Sequence, residues 1–278
     1  MDIYGAAMST EITPHPNPLL GNETDTEYAI EIENLTKDFR VMHRAHVTLK
    51  SAAADRVRSM AKGATQHGVD TRRALDNVSF KVKPGESVAI LGRNGSGKST
   101  LLSILSRVYL PTSGTATIRG RLISLLELGA GFNPDMTGEE NVYFNAAILG
   151  LTPDQAEEAY DRIVEFAELA SSTMDLPVRM YSSGMQMRLG FSVAAHMEAD
   201  VLLIDEGISV GDAGFQKKCF KKMIEFREQG KTMVNVTHSL DVLDHLSGRA
   251  IWLDQGKIVS DGELKEVRRL YQQSFRKT

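Results

Sequence analysis

The spacing of apolar residues along the chain predicts an α/β fold. Apolar and polar residues alternate in 29–33 and again in 78–82, which indicates strands with one buried face. The runs 88–91, 201–204 and 233–236 are largely apolar, as in strands that are covered on both faces of a parallel sheet. We therefore expect a mainly parallel sheet built from these runs and an antiparallel β subdomain near the N-terminus.

Helical patterns dominate the middle of the chain and predict an inserted helical lobe at about 138–189. Within it, Thr152 and Gln155 have the spacing of a capping pair, and Pro153 suits the first position of a helix. We expect that helix to run to about Leu169.

The N-terminal segment 1–27 is rich in Thr, Pro, Asn and Glu. It buries too little apolar surface to order itself, which predicts a disordered tail. One folded domain, 28–278, then follows.

A second unusual segment, 41–73, has no strand pattern and is basic. Apolar residues recur in it at helical spacing, with Lys50, Arg56, Arg58 and Lys62 on the other faces. Two interpretations stay open: a solvated surface helix in a long loop, or a basic helix that contacts anionic lipid or a membrane partner.

Composition narrows the class of protein. A formal net charge of −4 argues against a dedicated nucleic-acid surface. The single cysteine, Cys219, cannot form an internal disulfide and is expected to be half-buried on a helix. No apolar run reaches the ~18 residues that span a bilayer. A role at a membrane would therefore require a membrane partner that holds this chain.

A glycine-rich loop follows the apolar run 88–91 and matches the phosphate-binding pattern G-x-x-x-x-G-K-[ST]. Its backbone N–H groups and the start of the next helix favour an anion. Lys98 would reach the β- and γ-phosphates of a nucleotide, and the Ser99 hydroxyl would bind Mg²⁺. The loop residues expected to bind nucleotide are Gly92, Asn94, Gly95, Ser96, Gly97, Lys98, Ser99 and Thr100.

Acidic residues end the neighbouring run. Asp205 is predicted to bind Mg²⁺, and Glu206 to orient and deprotonate a water that attacks the γ-phosphate. His238 ends the next strand, where it could hydrogen-bond the terminal phosphate. Phe39 lies on the first sheet, and for it stacking on adenine and core packing stay equally open.

Residues 181–188 read Tyr-Ser-Ser-Gly-Met-Gln-Met-Arg. This segment resembles the signature loop of ATP-binding cassette (ABC) proteins, usually written L-S-G-G-Q. Ser182 and Gly184 match that pattern, whereas Tyr181, Ser183 and Met185 depart from it toward the form in ATPases that export bacterial polysaccharides. The resemblance implies that Ser182 and Gly184 cap the γ-phosphate of an ATP held by the opposite subunit.

A second likeness to the same exporters lies at 126–134 and 136–141. Most cassette ATPases have a glutamine near Leu128 that senses Mg²⁺ and the membrane partner, but here Glu127 is the nearest polar group. Residues 209–212 match the loop that crosses the dimer interface, with Asp212 as its acid.

The resemblance implies a P-loop NTPase core and the ATPase subunit of an exporter for a lipid-linked polysaccharide of the teichoic acid, O-antigen or capsule type. It implies ATP and Mg²⁺ as ligands, a homodimer and a separate integral membrane permease that holds the chain at the cytoplasmic face of the plasma membrane. The alternative is a transporter of another substrate, such as a drug, lipid or nutrient. An importer subunit would be expected to have a signature nearer L-S-G-G-Q. A non-enzymatic module is disfavoured because Asp205, Glu206 and His238 are all present.

Overall fold

The structure is a computed structural model that describes residues 27–41, 70–126, 129, 131–205, 211–237 and 240–275. The expected tail, apart from residue 27, and most of the basic segment at 41–73 lie outside the described residues.

Three antiparallel strands form the N-terminal sheet: β1 (Ile30–Val41), β2 (Asp70–Val82) and β4 (Ser113–Ile118), in the order β2-β1-β4. As the alternating pattern predicts, the apolar side chains of these strands point inward. Ile30, Ile32 and Phe80 are accordingly buried, and they pack with residues of the second sheet.

The second sheet follows the order β5-β6-β7-β3-β8-β9 within the described residues. All neighbours are parallel except the last pair. The central strands are buried along their whole length, as their continuous apolar runs predict. The strands are β3 (Ser87–Leu91), β5 (Leu122–Ser124), β6 (Val201–Ile204), β7 (Thr232–Asn235), β8 (Arg249–Asp254) and β9 (Lys257–Glu263).

Helices surround this sheet and form the predicted lobe. Among the helices of the described residues, none is long and apolar enough to cross a membrane. They are α1 (Lys98–Leu105), α2 (Gly138–Ile148), α3 (Pro153–Ala167), α4 (Ser171–Met174), α5 (Ser183–Ala195), α6 (Ala213–Glu228), α7 (Leu240–Leu246) and α8 (Leu264–Ser274), with a 3₁₀ turn at Val178–Met180.

The lobe helices begin at local capping signals. Thr152 and Gln155 form the predicted capping box at the start of α3, with Pro153 as its first residue. The helix ends at Ala167, slightly before the predicted end, because Glu168 adopts a left-handed conformation with φ of 56°.

The lobe core continues onto α6. Phe166, Phe191 and Phe215 form mutual aromatic contacts there, with ring centroids 5.8 to 6.2 Å apart. Cys219 is fully buried in this core, so the expectation of a half-buried cysteine is wrong. It lies one helical turn after Phe215, on the inward face of α6, and burial raises the pKa of its thiol to about 12.

The prediction that residues 41–73 contain no sheet is wrong at both ends. β1 extends to Val41 and pairs with Asp70, the first residue of β2. Residues 70–73 are exposed, so this arm of the hairpin lacks the apolar alternation that marks a half-buried strand. Polar contacts hold it instead, including the ion pair between Arg73 and Asp38 at 2.9 Å.

Candidate nucleotide-binding site

The loop between β3 and α1 requires glycine because two strands approach it closely. Gly97 has φ of 109°, in the left-handed region that strains other residues. A Cβ atom there would lie 2.6 Å from the carbonyl oxygen of Ala74 on β2. A Cβ atom on Gly92 would lie 2.3 Å from the carbonyl oxygen of Leu253 on β8. The bare backbone is thereby held between β2 and β8.

Lys98 fills the inside of this loop. Its side chain is buried, and the ammonium donates to the carbonyl oxygens of Gly92 at 2.7 Å and Arg93 at 3.2 Å. Ser96 is also buried, and its hydroxyl has no hydrogen-bond partner among the described residues. The loop therefore carries a fixed positive charge on its inside.

A cavity of about 1070 Å³ opens over the loop. It brings together residues that are far apart in the sequence, and its volume is of the size that holds a small-molecule ligand. Gly92 and Ser96 lie outside its lining, whereas the other predicted loop residues belong to it. The lining comprises Phe39, Arg72, Arg73, Ala74, Asn94, Gly95, Gly97, Lys98, Ser99, Thr100, Asp205, Val236 and Gln255.

Asp205 reaches this cavity because it follows β6 at the carboxyl edge of the sheet that carries the loop. Asp205 and Ser99 also line a second, adjoining cavity of about 340 Å³. Parallel strands end at one edge, so Asp205 and the first turn of α1 lie at the same edge of the sheet.

Phe39 forms the wall of the cavity and lies outside the buried core. Its ring meets the edge of Tyr109 at 5.4 Å. Lys37 places its ammonium 5.1 Å from the Phe39 ring centre and donates to the Leu110 carbonyl at 2.7 Å. These contacts fix the ring beside the phosphate loop.

The signature segment lies on the helical lobe, away from this cavity. Ser182 caps α5, and its hydroxyl accepts a hydrogen bond from the Met185 amide at 3.2 Å. Tyr181 is buried and donates to the Thr173 carbonyl at 2.7 Å. Ser182 and Gly184 do not line the cavity over the phosphate loop. The chain thus carries two separate helix N-termini suited to anions.

The comparisons with known proteins agree with this geometry. Residues 75–209 match the family described as ABC transporter. The O-antigen export system ATP-binding protein RfbB of Klebsiella pneumoniae is 39% identical over 251 residues, which cover 90% of this chain and 99% of that protein. The chain belongs to the ABC transporter family. As a member it is a nucleotide-binding subunit whose ATP hydrolysis is coupled to transport.

Another relative supports the same assignment, and a solved structure shares the fold. The teichoic acids export ATP-binding protein TagH of Bacillus anthracis is 37% identical over 90% of this chain, which spans 43% of that longer protein. The solved structure of an ATP binding subunit of an ABC transporter has a TM-score of 0.67 at 21% identity, covering 88% of this chain and 93% of that one. The predicted family and the predicted P-loop α/β fold are confirmed.

Several residues predicted for this ABC ATPase site lie outside the described residues. They are Glu206, His238, Glu127, Leu128 and the first two residues of the 209–212 loop. Asp212, the last residue of that loop, is described. It caps α6 by accepting from the amides of Gly214 at 2.8 Å and Phe215 at 3.0 Å.

Arg72 lines the cavity although no sequence motif marks it. It pairs directly with Phe39 across the β1–β2 hairpin. Directly paired residues on antiparallel strands point to the same face, so both side chains reach the cavity. The strand register places Arg72 in the cavity, and no local motif encodes that register.

The described residues fit the Mg²⁺ that this family implies. Ser99 and Asp205 offer a hydroxyl and a carboxylate in one cavity, and Mg²⁺ prefers such oxygen donors with waters and phosphate oxygens completing its shell. The described residues hold no cluster of three or more His, Cys, Asp or Glu suited to a metal.

Proposed function

We propose that this chain is the ATP-hydrolysing subunit of an exporter that moves a lipid-linked polysaccharide of the O-antigen, teichoic acid or capsule type across the plasma membrane. The observation that carries the proposal is similarity over 90% of the chain to proteins named for O-antigen export and for teichoic acid export. The signature at 181–185 supports the same branch of the family.

Nucleotide binding begins at the phosphate loop. The backbone N–H groups of 92–97 and the start of α1 bind the phosphates, and Lys98 adds a positive charge from inside the loop. Asn94 and Thr100 complete the lining on either side. Phe39 provides the aromatic ring at the far wall for the adenine.

Hydrolysis needs a metal and a base. Ser99 and Asp205 would hold Mg²⁺, which would neutralise charge on the phosphates. Glu206 accepts the proton of the attacking water while the water oxygen bonds to the γ-phosphorus and the bond to the ADP oxygen breaks. His238 donates a hydrogen bond to the departing phosphate.

A homodimer completes each site. Ser182 and Gly184 lie away from their own chain's cavity, so they cap the γ-phosphate held by the partner subunit. Two ATP molecules are then enclosed between two chains. Closure of that dimer moves an integral membrane permease, and hydrolysis releases it.

The permease also sets the location. It holds the ATPase dimer at the cytoplasmic face of the plasma membrane, where ATP is available. Nucleic acid has no part in this function, in keeping with a net charge of −4.

The deciding experiment replaces the chain in its own cells by the Glu206→Gln variant. We expect surface polysaccharide to be lost and its lipid-linked precursor to accumulate in the membrane fraction, as measured by extraction and glycan analysis. Glu198→Gln, an exposed change outside the site, is the matched control. If surface polysaccharide is unchanged and the uptake or efflux of another solute is lost, the transported substrate is a drug, lipid or nutrient and not a polysaccharide.

A further inference from the structure

Phe275, the residue that caps the C-terminal end of helix α8, contacts the phosphate loop. The guanidinium carbon of Arg93, the residue after Gly92, lies 4.9 Å from the centre of the Phe275 ring. Arg93 is exposed and does not line the nucleotide cavity. This contact is therefore on the outer rim of the loop.

Phe275 is itself held by an aromatic column. Its ring meets that of Tyr271 edge-on at 4.9 Å, and Tyr271 meets Trp252 of β8 at 5.8 Å. Tyr271 is buried in a core shared with Leu91, the last residue of β3. Trp252 pairs with Leu91 in the sheet. The column thus connects the rim of the loop to the strand beneath it.

The position of Arg93 matters for the inside of the loop as well. Its carbonyl oxygen accepts from the Ser96 amide at 3.1 Å and from the Lys98 ammonium at 3.2 Å. A displaced Arg93 would move the carbonyl that locates Lys98. The other close restraints on the loop involve backbone atoms, such as the bond from the Gly256 amide to the Ser96 carbonyl at 2.9 Å.

Among the described residues, no carboxylate forms an ion pair with Arg93. The Phe275 ring is the partner that the structure gives to its guanidinium. Arginine over an aromatic face is attracted by the ring quadrupole even at an exposed site.

We propose that Phe275 is a positioning residue for the phosphate loop: by holding Arg93 on its ring, α8 preorganises the loop for the phosphates of a nucleotide. The proposal rests on the ATP binding assigned to that loop. Preorganisation saves the entropy of ordering the loop when the ligand binds, so its loss weakens binding more than it slows chemistry.

The test compares Phe275→Ala with Leu270→Ala in the full-length chain. Leu270 is on α8, which ends just before Phe275, and is similarly exposed, at 41% against 45% for Phe275. An exposed cation–π contact of ~0.5–1 kcal/mol corresponds to a change in affinity of about two- to five-fold. We expect Phe275→Ala to raise the Kd of both ATP and ADP by that factor, with kcat and Tm nearly unchanged. Leu270→Ala should bind as the wild type does, and an equal effect of both changes would overturn the proposal.

A double-mutant cycle isolates the contact itself. Phe275→Tyr and Arg93→Lys keep a ring and a cation and should retain affinity. Phe275→Ala and Arg93→Met should each weaken binding, and their combination should be no weaker than either alone. Additive losses would mean that the two residues act independently and would contradict the proposal.

Lys98→Ala separates this inference from the proposed function. A wild-type chain that binds no ATP, or a Lys98→Ala chain that binds as well as the wild type, would refute nucleotide binding at the loop. If the wild type binds ATP, Lys98→Ala binds it less well and the Kd for Phe275→Ala is unchanged, only the positioning role of Phe275 is refuted.

Discussion

Arg188, on the helix that begins at the signature loop, forms an ion pair with Asp212, the residue that caps α6. Arg188 also lies over the Phe215 ring, with its guanidinium carbon 4.9 Å from the ring centre. Asp212 ends the loop that follows Asp205. The signature helix α5 and the start of α6 are consequently joined by an ion pair within one chain.

Replacing Asp212 separates its two contacts. Asn can still cap α6 but cannot pair ionically with Arg188, whereas Ala can do neither. Because loss of a helix N-cap typically costs ~1 kcal/mol, Asp212→Ala should lower Tm by about 2–4 °C. Asp212→Asn should lower it less. Calorimetry on both variants checks this. Equal Tm values for Asp212→Asn, Asp212→Ala and the wild type would show that Asp212 does not stabilise α6 by capping it.

The same residue gives a pH dependence. Amide donors from Phe215 and Gly214, and then the charge of Arg188, hold the pKa of Asp212 below its ordinary value. A carboxyl with a lowered folded pKa adds stability above its unfolded pKa of about 3.9, and this is lost as the pH falls through the folded pKa. The Tm gap between wild type and Asp212→Ala should thus be constant at neutral pH and narrow below about pH 4. A gap that widens in acid would contradict the assignment.

Chemistry and binding should separate at two residues of the site. Glu206→Gln should keep ATP binding and lose turnover by roughly 10²–10⁴-fold, because a positioned base is removed. Lys98→Ala should weaken nucleotide binding itself, since the positive charge inside the loop disappears. Equilibrium ATP binding and phosphate release measure the two effects. Near-normal hydrolysis by Glu206→Gln would mean that another residue acts as the base.

Composite sites should appear in mixtures of variants. Lys98→Ala spoils the phosphate loop, and Ser182→Arg blocks the second anion site, so their heterodimer has one damaged site and one intact site. With the membrane subunit present, the mixture should hydrolyse ATP faster than either variant alone. Glu206→Gln should also form an ATP-dependent dimer on size exclusion. A monomer with ATP bound would refute the shared site.

Phe39 can be tested for stacking against packing. If it stacks on adenine, Phe39→Ala should weaken ATP binding by roughly five- to a hundred-fold, which is the usual worth of a base on an aromatic ring. Binding of inorganic tripolyphosphate, which has no base, should not change. Equal losses for both ligands, with a lower Tm, would instead indicate that the ring only packs against Tyr109.

The sequence predicted the centre of the site because that part of the fold is locally encoded. The apolar run at Val201–Ile204 fixes a buried parallel strand, which delivers Asp205 to the edge that carries the phosphate loop. The glycines and Lys98 lie within one short motif. The apolar run with Asp205 and the glycine-rich motif are each contained in a short stretch of consecutive residues.

The periphery of the site could not be predicted in the same way. The exposed arm of the β1–β2 hairpin has no apolar alternation, so its strand character and the place of Arg72 depend on register. The contact of Arg93 with Phe275 joins two residues that are far apart in the sequence. Such contacts arise from tertiary packing, and no local pattern in the sequence predicts them.

Buried Tyr181, the first residue of the signature loop, restricts which substitutions the surrounding structure can accept. A Cβ atom on Gly138 would lie 2.0 Å from the Tyr181 hydroxyl, so a side chain at 138 and a tyrosine at 181 exclude each other. Grafting the commoner leucine at 181 would remove the hydrogen bond to the Thr173 carbonyl and leave empty space above Gly138. The two positions should therefore be inherited as a matched set, and the signature loop of this protein is not a part that can be swapped alone.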